Sequence, residues 1–423
     1  MAAASLLCLP LAVRGQVETQ TPVTNSMPSN DFGFNLPTQF GTLSYSLSGS
    51  EFLETGQVGS VESNTALSGN LAFISKSESD PFSAVYSGGY IYRASSGSSG
   101  SYTFQDLAVS QVYRTKSWVF VVSDAFSFLP GAPTTGLSGV AGVGDVGVTP
   151  VQTGLGPTQD ILTNESNRIS NGLNGSATWQ VTPDVDLEGS ASWDILHFTE
   201  SDNPGISSHD YMGTFGPKFR IDARDSVGAE AYYSRSTYPT YSGYLIESMG
   251  ANVSFDRDWS RRLSTSISLG PESSHGRSTE PIPAQLTLGA RASAKYATRT
   301  TGLYADYTRG VTSGSGVIFA AISDDVQVGM TRPLSRDWSL AADVAYRHNV
   351  GLAADQGIIP RYDTVLAAMQ VSHRLTESLS AYASETILHQ TSNHAYGVNA
   401  LEGFNNIVGF GITFSPAPLV RAQ

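Results

Sequence analysis

The chain has 423 residues, of which 14% are charged, and its formal net charge of −13 disfavours a nucleic-acid partner. No apolar run approaches the roughly 20 residues that a membrane-spanning helix needs, which excludes a helical membrane protein. The length is sufficient for two or three ordinary domains or for one large sheet.

The N-terminal segment, residues 1–15, is predicted to be a signal peptide, because an apolar stretch precedes small residues near Gly15. It lacks a basic n-region, which indicates a truncated leader; a frayed N-terminal strand is the alternative. Cys8, the only cysteine, lies in this segment. The mature chain is therefore expected to have no disulfides, no thiol catalysis and no cysteine-bound metal. Residues 16–40 are polar with scattered Pro and Asn, and we interpret them as a linker.

From residue 41 the chain consists of long runs in which apolar and polar residues alternate. Between Trp338 and Tyr346 every second residue is apolar, with an aromatic at each end, and most of the others are polar. This period predicts a β-strand with two different faces. Other runs are noisier, since Asp324 and Glu385 interrupt faces that are otherwise apolar.

Short polar turns and longer Gly-, Ser-, Pro- and Asn-rich segments separate these runs alternately. The unit of tight turn, long strand, long loop and long strand is a hairpin repeat, which predicts about 18 antiparallel strands, with 16 as the lower bound. The tight turns are expected near residues 76–80, 113–117, 182–184, 222–225, 256–258, 297–300, 333–337 and 374–377.

The predicted fold class is all-β: a transmembrane antiparallel up-and-down β-barrel over residues 41–414. A propeller would place four short strands in each repeat, and a soluble sandwich would need bulkier aliphatic faces. A membrane barrel has apolar residues outside, polar residues inside and aromatic girdles at both interfaces. The predicted girdle residues are Trp193, Tyr233, Trp259, Tyr296, Tyr307, Trp338 and Tyr346. The alternative is that these aromatics form the core of a soluble β-protein.

Four segments carry a resemblance to a known class of proteins: TPDVDLEGSASW, FDRDWSRRLSTSISLGP, PLSRDWSLAADVAY and the final run NNIVGFGITF. The chain resembles Gram-negative outer-membrane β-barrel proteins, and in particular large acidobacterial barrels of the kind found in exopolysaccharide export loci. The resemblance implies an outer-membrane location in contact with lipid, and the even strand number places both termini in the periplasm, so that residues 16–40 become a periplasmic linker. It also implies that the barrel-assembly machinery reads a final strand containing Phe410 and Phe414. The chain departs from that pattern because a tail, residues 415–423, follows Phe414.

Catalytic and metal-binding patterns are absent from the sequence, including the nucleophile elbow, the zinc-protease helix and the phosphate-binding loop. His389 and His394 flank one loop, but two imidazoles make a weak metal pattern. We therefore expect no cofactor, no metal and no enzymatic activity.

The inner faces of the predicted strands carry charges of both signs. These charges either solvate a wet interior and pair with one another or order polar solutes in a pore. The candidate pore-lining residues are Asp186, Glu188, Asp194, Glu230, Arg262, Arg291, Lys295, Asp306, Asp343 and Arg347.

The longest connection, residues 129–167, is Gly- and Pro-rich with few charges. A connection of this length usually has a function or is disordered. We predict that it folds into the lumen and places Asp145 and Asp160 opposite basic wall residues; the alternative is an outward docking surface.

The predicted function is a pore that passes polar solutes or a secreted polysaccharide, the latter with an export complex as partner. A structural or adhesive surface barrel without an open pore is the alternative, followed by an outer-membrane hydrolase. The sequence leaves the solute and the oligomeric state open.

Overall fold

The structure is a computed structural model in which strands account for most of the described chain. It describes residues 36–37, 41–55, 61–75, 77, 79–93, 101–129, 161, 167–199, 205–241, 243–277, 282–298, 300–314, 316–353, 358–393 and 402–415. The predicted signal peptide, most of the predicted linker and the C-terminal tail beyond Ser415 lie outside these residues.

Among the described residues, nineteen strands form one antiparallel sheet. The first half comprises β1 (Leu36–Pro37), β2 (Gly41–Thr55), β3 (Val61–Ser75), β4 (Phe82–Arg93), β5 (Tyr102–Arg114), β6 (Trp118–Leu129), β7 (Arg168–Thr182), β8 (Val185–Phe198), β9 (Ser208–Arg220) and β10 (Asp225–Thr237). The second half comprises β11 (Leu245–Asp258), β12 (Leu263–Arg277), β13 (Ile282–Ala297), β14 (Gly302–Thr312), β15 (Ala321–Pro333), β16 (Trp338–Gly351), β17 (Arg361–Arg374), β18 (Leu379–Ser392) and β19 (Gly403–Phe414).

The sheet closes into a barrel of 18 strands, β2 to β19. Each strand pairs with its neighbours in sequence, and β19 returns to pair with β2 from Phe414 opposite Leu47 to Asn406 opposite Thr55. The two-residue strand β1 pairs with β2 at Leu43 and Thr42. These residues precede Leu47, where the pairing of β2 with β19 begins. The predicted fold class and strand number are therefore confirmed. Closure leaves no long sheet edge, which explains how so many strands coexist in one sheet.

The two ends of the barrel differ in the length of their connections. At one end, the tight-turn end, successive strands are joined by short turns such as 183–184, 221–224 and 334–337; at the other, the long-loop end, the connections are generally longer. The turn at 221–224 is closed by Asp222, whose Oδ1 accepts hydrogen bonds from the backbone N–H groups of Arg224 (2.6 Å) and Asp225 (2.9 Å). These two bonds lower the pKa of the Asp222 carboxyl, because they favour its charged form.

The strands have an inner and an outer face, as the alternation predicts. On β8, Ser192 and Asp194 point inward and are 8% and 2% exposed, whereas Trp193 between them is 39% exposed. Large apolar side chains recur on the outer face of most other strands, including Leu67, Phe215, Val253 and Leu288. Within the part of the chain that the structure describes, no helix is long and apolar enough to span a membrane.

A belt of buried apolar side chains lines the inner face where β16 to β19 adjoin β2 to β5. Two of its rings, Phe52 and Phe104, lie over glycines on the paired strand, Gly409 and Gly89. The missing side chain at each glycine makes room for the ring. The belt takes one residue from each of the eight strands: Ala345, Leu366, Leu388, Ile407, Phe52, Ala66, Ile91 and Phe104.

Alanine at Gly409 is expected to destabilise the barrel by about 1–3 kcal/mol through overpacking. Its Cβ would lie 2.7 Å from both Phe52 Cδ1 and Ser384 Oγ. Urea unfolding of the protein in lipid vesicles measures the change. Gly175→Ala is the matched control, since a Cβ there has nothing within 4 Å. Equal stability of the two variants would contradict the close packing.

Candidate functional site

The inner wall carries nine of the ten predicted pore-lining residues. Asp186, Glu188 and Asp194 share the inner face of β8, and cross-strand pairs extend that face to the other strands. The remaining inner residues of the predicted set are Glu230, Arg291, Lys295, Asp306, Asp343 and Arg347.

Arg262 was predicted to line the wall, but the structure places it in the tight turn between β11 and β12. Ser260 Oγ accepts hydrogen bonds from the backbone N–H groups of Arg262 and Leu263, both at 3.1 Å. This turn delays the start of β12 to Leu263, so that Arg262 is exposed beyond the wall.

Several inner charges form specific pairs. Lys218 Nζ lies 2.8 Å from an Asp256 oxygen, and Arg347 Nε lies 3.2 Å from an Asp325 oxygen. Lys218 and Asp325 were not among the predicted pore-lining residues, although the alternation along β9 and β15 carried the signal. Asp256 was assigned to a tight turn at 256–258, but β11 continues to Asp258 and the turn follows at 259–262. The predicted residue Asp343 is 2% exposed and accepts a hydrogen bond from the Tyr304 hydroxyl, to which Gln327 Nε2 in turn donates at 3.0 Å.

Charge is distributed unevenly around the wall. On β8 to β12, carboxylates dominate the inner face, and the basic residues Lys218 and Arg220 lie near the tight-turn end. By contrast, hydroxyl and amide groups dominate the inner face of β2 to β4, where the charged residues Glu54, Glu62 and Arg93 lie near the long-loop end. The acidic sector comprises Asp186, Glu188, Asp194, Asp210, Glu230, Asp256 and Glu272. The neutral sector includes Ser46, Ser48, Ser50, Asn64, Ser68 and Ser83.

A loop between β14 and β15, residues 313–320, reaches across the long-loop end; we call it the constriction loop. The carbonyl oxygen of Gly316 accepts a 2.7 Å hydrogen bond from the backbone N–H of Ile206, which precedes β9. Next to this bond, the Phe198 ring of β8 packs against Gly316. Because β8 and β14 are six positions apart in the wall, the loop crosses a chord of the opening.

Aromatic rings fix the middle of the constriction loop. Phe319 packs edge-on against Tyr238 and Tyr241, at centroid distances of 5.1 and 4.9 Å, and at 4.4 Å from Tyr244. The Tyr238 hydroxyl donates a 3.1 Å hydrogen bond to the carbonyl oxygen of Ser313. These contacts join the loop to the connection between β10 and β11.

The backbone of the constriction loop is tightly specified. Gly314 has a φ of 84°, and its carbonyl oxygen accepts hydrogen bonds from the N–H groups of Val317 (3.1 Å) and Ile318 (3.2 Å). Ala320 adopts a φ of 53°, which is uncommon for a residue with a side chain. Its carbonyl oxygen accepts a 3.1 Å bond from Leu352 N. The loop is therefore held at both ends by defined contacts.

The long connection between β6 and β7 also reaches the far wall at one point. Ile161 is 1% exposed and packs with Ile318 of the constriction loop, Ala321 and Tyr362. β6 and β15 are nine positions apart in the ring of 18 strands and thus face each other across the opening. The rest of this connection through residue 166, with the predicted constriction residues Asp145 and Asp160, lies outside the described residues.

The aromatic residues form two levels on the outside of the barrel. Trp259, Tyr296 and Trp338 lie near the tight-turn end, where Trp338 stacks on His373 at 4.3 Å. Trp193, Tyr233, Tyr307 and Tyr346 lie further along their strands. Trp118 and Trp179 were not among the predicted girdle residues. They stack on each other at 5.4 Å at the tight-turn end, and their separation of 61 positions in sequence hid the pair.

The last strand places Phe410 and Phe414 on the outer face, 55% and 43% exposed. Phe414 pairs with Leu379 on one side and with Leu47 on the other, so it lies at the seam that closes the barrel. Across the described residues, no group of three or more His, Cys, Asp or Glu side chains is arranged to hold a metal ion.

Comparison with solved structures finds outer-membrane channels at low similarity. The chain matches OccK2 (OpdF) of Pseudomonas aeruginosa at 10% identity with a TM-score of 0.42, over 88% of this chain and 97% of that one. It matches OccAB3 of Acinetobacter baumannii at 8% identity and a TM-score of 0.41, over 89% and 99%. The unliganded ferric citrate transporter FecA matches at 11% identity and 0.41, over 88% and 64%. No protein-family model and no curated protein matches the sequence.

Proposed function

We propose that the chain is an outer-membrane β-barrel that forms a pore for polar solutes. One observation carries this proposal: the polarity of the closed sheet is inverted, with buried polar groups inside and exposed apolar side chains outside. In water such an outer face would favour aggregation, whereas lipid accommodates it. A barrel of this strand number encloses a water-filled lumen unless protein fills it.

The dimensions of the outer face agree with a bilayer. Trp338 and Tyr346 are both exposed on β16, 46% and 43%. Their separation of eight residues corresponds to roughly 26 Å along a strand and, at a tilt near 40°, to about 20 Å of height. Indole and phenol rings favour the two interfaces because they have an apolar body and a polar tip.

The acidic sector of the wall supports a preference for cations. Carboxylates facing a confined aqueous lumen attract cations and repel anions. We expect potassium to permeate more readily than chloride in planar bilayers under a salt gradient. Glu188→Gln with Glu230→Gln should roughly halve the permeability ratio, because both carboxylates face the lumen.

The control for selectivity is Glu377→Gln, which removes an exposed carboxylate from the turn between β17 and β18. The preference should also weaken in concentrated salt, since screening shortens the reach of each charge. An anion preference of the unaltered protein, or equal effects of the lumen and turn variants, would contradict this assignment.

The orientation that we propose places the tight turns and both termini in the periplasm. It is supported by the usual arrangement of short periplasmic turns and longer external loops. In a Cys8→Ser background, a cysteine replacing Ile359 on the long-loop side should react with an impermeant maleimide on intact cells. A cysteine replacing Lys116, in a tight turn, should react only after lysis. The reverse labelling would overturn the orientation.

The narrower proposal, passage of a secreted polysaccharide, is supported by the neutral sector. Its hydroxyl and amide groups suit hydrogen bonding to neutral hydroxyl-rich chains. If this proposal holds, neutral oligosaccharides should interrupt the ionic current. The interruptions should shorten in Asn70→Ala, because Asn70 is half-buried on the inner face of β3, opposite Ser46. The constriction loop crosses the opening at the long-loop end, which favours the second candidate function, a barrel without an open pore. An absence of conductance would support that function.

A further inference from the structure

Three similar side-chain clusters lie on the outer face toward the long-loop end. In each, a tyrosine and a base two residues later on one strand face a carboxylate on the next strand. The tyrosine hydroxyl donates to that carboxylate, at 2.8 Å from Tyr307 and at 2.6 Å from Tyr346. The three sets are Tyr233, Arg235 and Glu247; Tyr307, Arg309 and Asp324; and Tyr346, His348 and Asp363.

Among the described residues, the Glu247 cluster has the largest excess of neighbouring bases over carboxylates. Glu247 is paired in register with Arg235 on one side and His275 on the other, and His275 Nε2 lies 3.4 Å from its carboxylate. Arg277, two residues beyond His275, is exposed on the same face. In the other two clusters the bases and acids alternate in one cross-strand line, Arg309, Asp324, His348 and Asp363. Arg361, two residues before Asp363, is exposed on the same face, so this line has three bases for two carboxylates.

The Glu247 cluster lies where the apolar outer surface ends, on the side of the long loops. Arg235 is ten residues beyond Asp225, the first residue of β10, which corresponds to about 25 Å of height, the thickness of the apolar band in such barrels. Below the cluster, the outer face presents apolar side chains: Tyr233 (44% exposed), Met249 (49%), Val253 (60%) and Leu269 (51%).

We propose that Arg235, His275 and Arg277, arranged around Glu247, bind the phosphate of an anionic lipid in the surrounding leaflet; this set is the lipid-phosphate patch. Guanidinium groups match phosphate oxygens in a bidentate fork. The apolar strip below accommodates the acyl chains of the same molecule. Glu247 holds the bases in place but opposes the phosphate charge. The inference rests on the membrane location proposed above and not on an open pore.

The test is titration of the full chain, refolded in a non-ionic detergent, with phosphatidylglycerol, followed by native mass spectrometry. Phosphatidylcholine with the same acyl chains is the zwitterionic comparison. We expect phosphatidylglycerol to bind preferentially, and Arg235→Gln with Arg277→Gln to weaken it about 30-fold. Glu247→Gln should strengthen binding, since it removes the opposing charge.

The matched control is Arg261→Gln with Arg336→Gln, which removes two exposed arginines from tight turns at the opposite end. It should leave phosphatidylglycerol binding unchanged. Equal losses in both double variants would show general charge attraction and overturn the patch, as would unchanged binding in the Arg235 and Arg277 variant. Heat-dependent electrophoretic mobility verifies that each variant is folded. Conductance is not needed, so this test can fail or succeed independently of the pore.

Discussion

Replacing residues 314–319 of the constriction loop by a short Gly-Asn hairpin turn is expected to raise single-channel conductance by about twofold or more. The loop crosses the opening from β14 to β8, where Ile206 N donates to the carbonyl oxygen of Gly316. Thr312 and Ala321 are paired, so a two-residue turn can join β14 to β15 without disturbing the wall.

The comparison for this deletion is the same Gly-Asn substitution in the tight turn at 334–337, which lies at the opposite end and should leave conductance unchanged. Phe319→Ala should give a smaller increase, because it releases the loop from Tyr238, Tyr241 and Tyr244 without removing it. Unchanged conductance in a correctly folded loop replacement would show that the constriction lies elsewhere.

Arginine at Ala292 is expected to destabilise the barrel by about 2–4 kcal/mol, the cost of a cation near the bilayer midplane. Ala292 is paired with Ile267, which is 47% exposed on the outer face. It lies about 12 Å above Ala297, near the centre of the apolar band. Urea unfolding in vesicles measures the difference.

The adjacent residue supplies the control. Ser293 faces the lumen and is paired with Asp306, so arginine at Ser293 gains water and an opposite charge. It should change the unfolding free energy much less than arginine at Ala292. Equal tolerance at the two positions would argue against a membrane-facing outer surface and favour a soluble β-protein.

The connection between β14 and β15 was expected to be an ordinary loop, whereas residues 129–167 were singled out by their length. That residues 129–167 fold into the lumen stays a prediction, since most of that connection lies outside the described residues. A local signal was present, since Val317, Ile318 and Phe319 follow Gly314 and Gly316 within a loop. Their partners, Phe198, Tyr238 and Tyr362, lie far away in sequence, so only the closed wall brings the two groups together.

The sequence by itself determined the fold class, the strand number to within two and the two faces of most strands. These properties follow from the period-two alternation and from the regular spacing of turns, which are local along the chain. The sequence also indicated that residues such as Glu188 and Asp343 face inward, because the alternation along a single strand assigns each residue to one of its two faces. Arg262 failed this reading because the Ser260 turn shifts the start of β12 past it.

Only the tertiary structure decided which residues of neighbouring strands lie side by side in the sectors and clusters. The acidic sector of β8 to β12 and the neutral sector of β2 to β4 depend on strand order and register, which alternation within one strand does not encode. The lipid-phosphate patch likewise joins Arg235 of β10 with His275 and Arg277 of β12, on either side of Glu247 of β11. Barrel closure and cross-strand pairing convert period-two patterns into a surface, and that surface carries the sites.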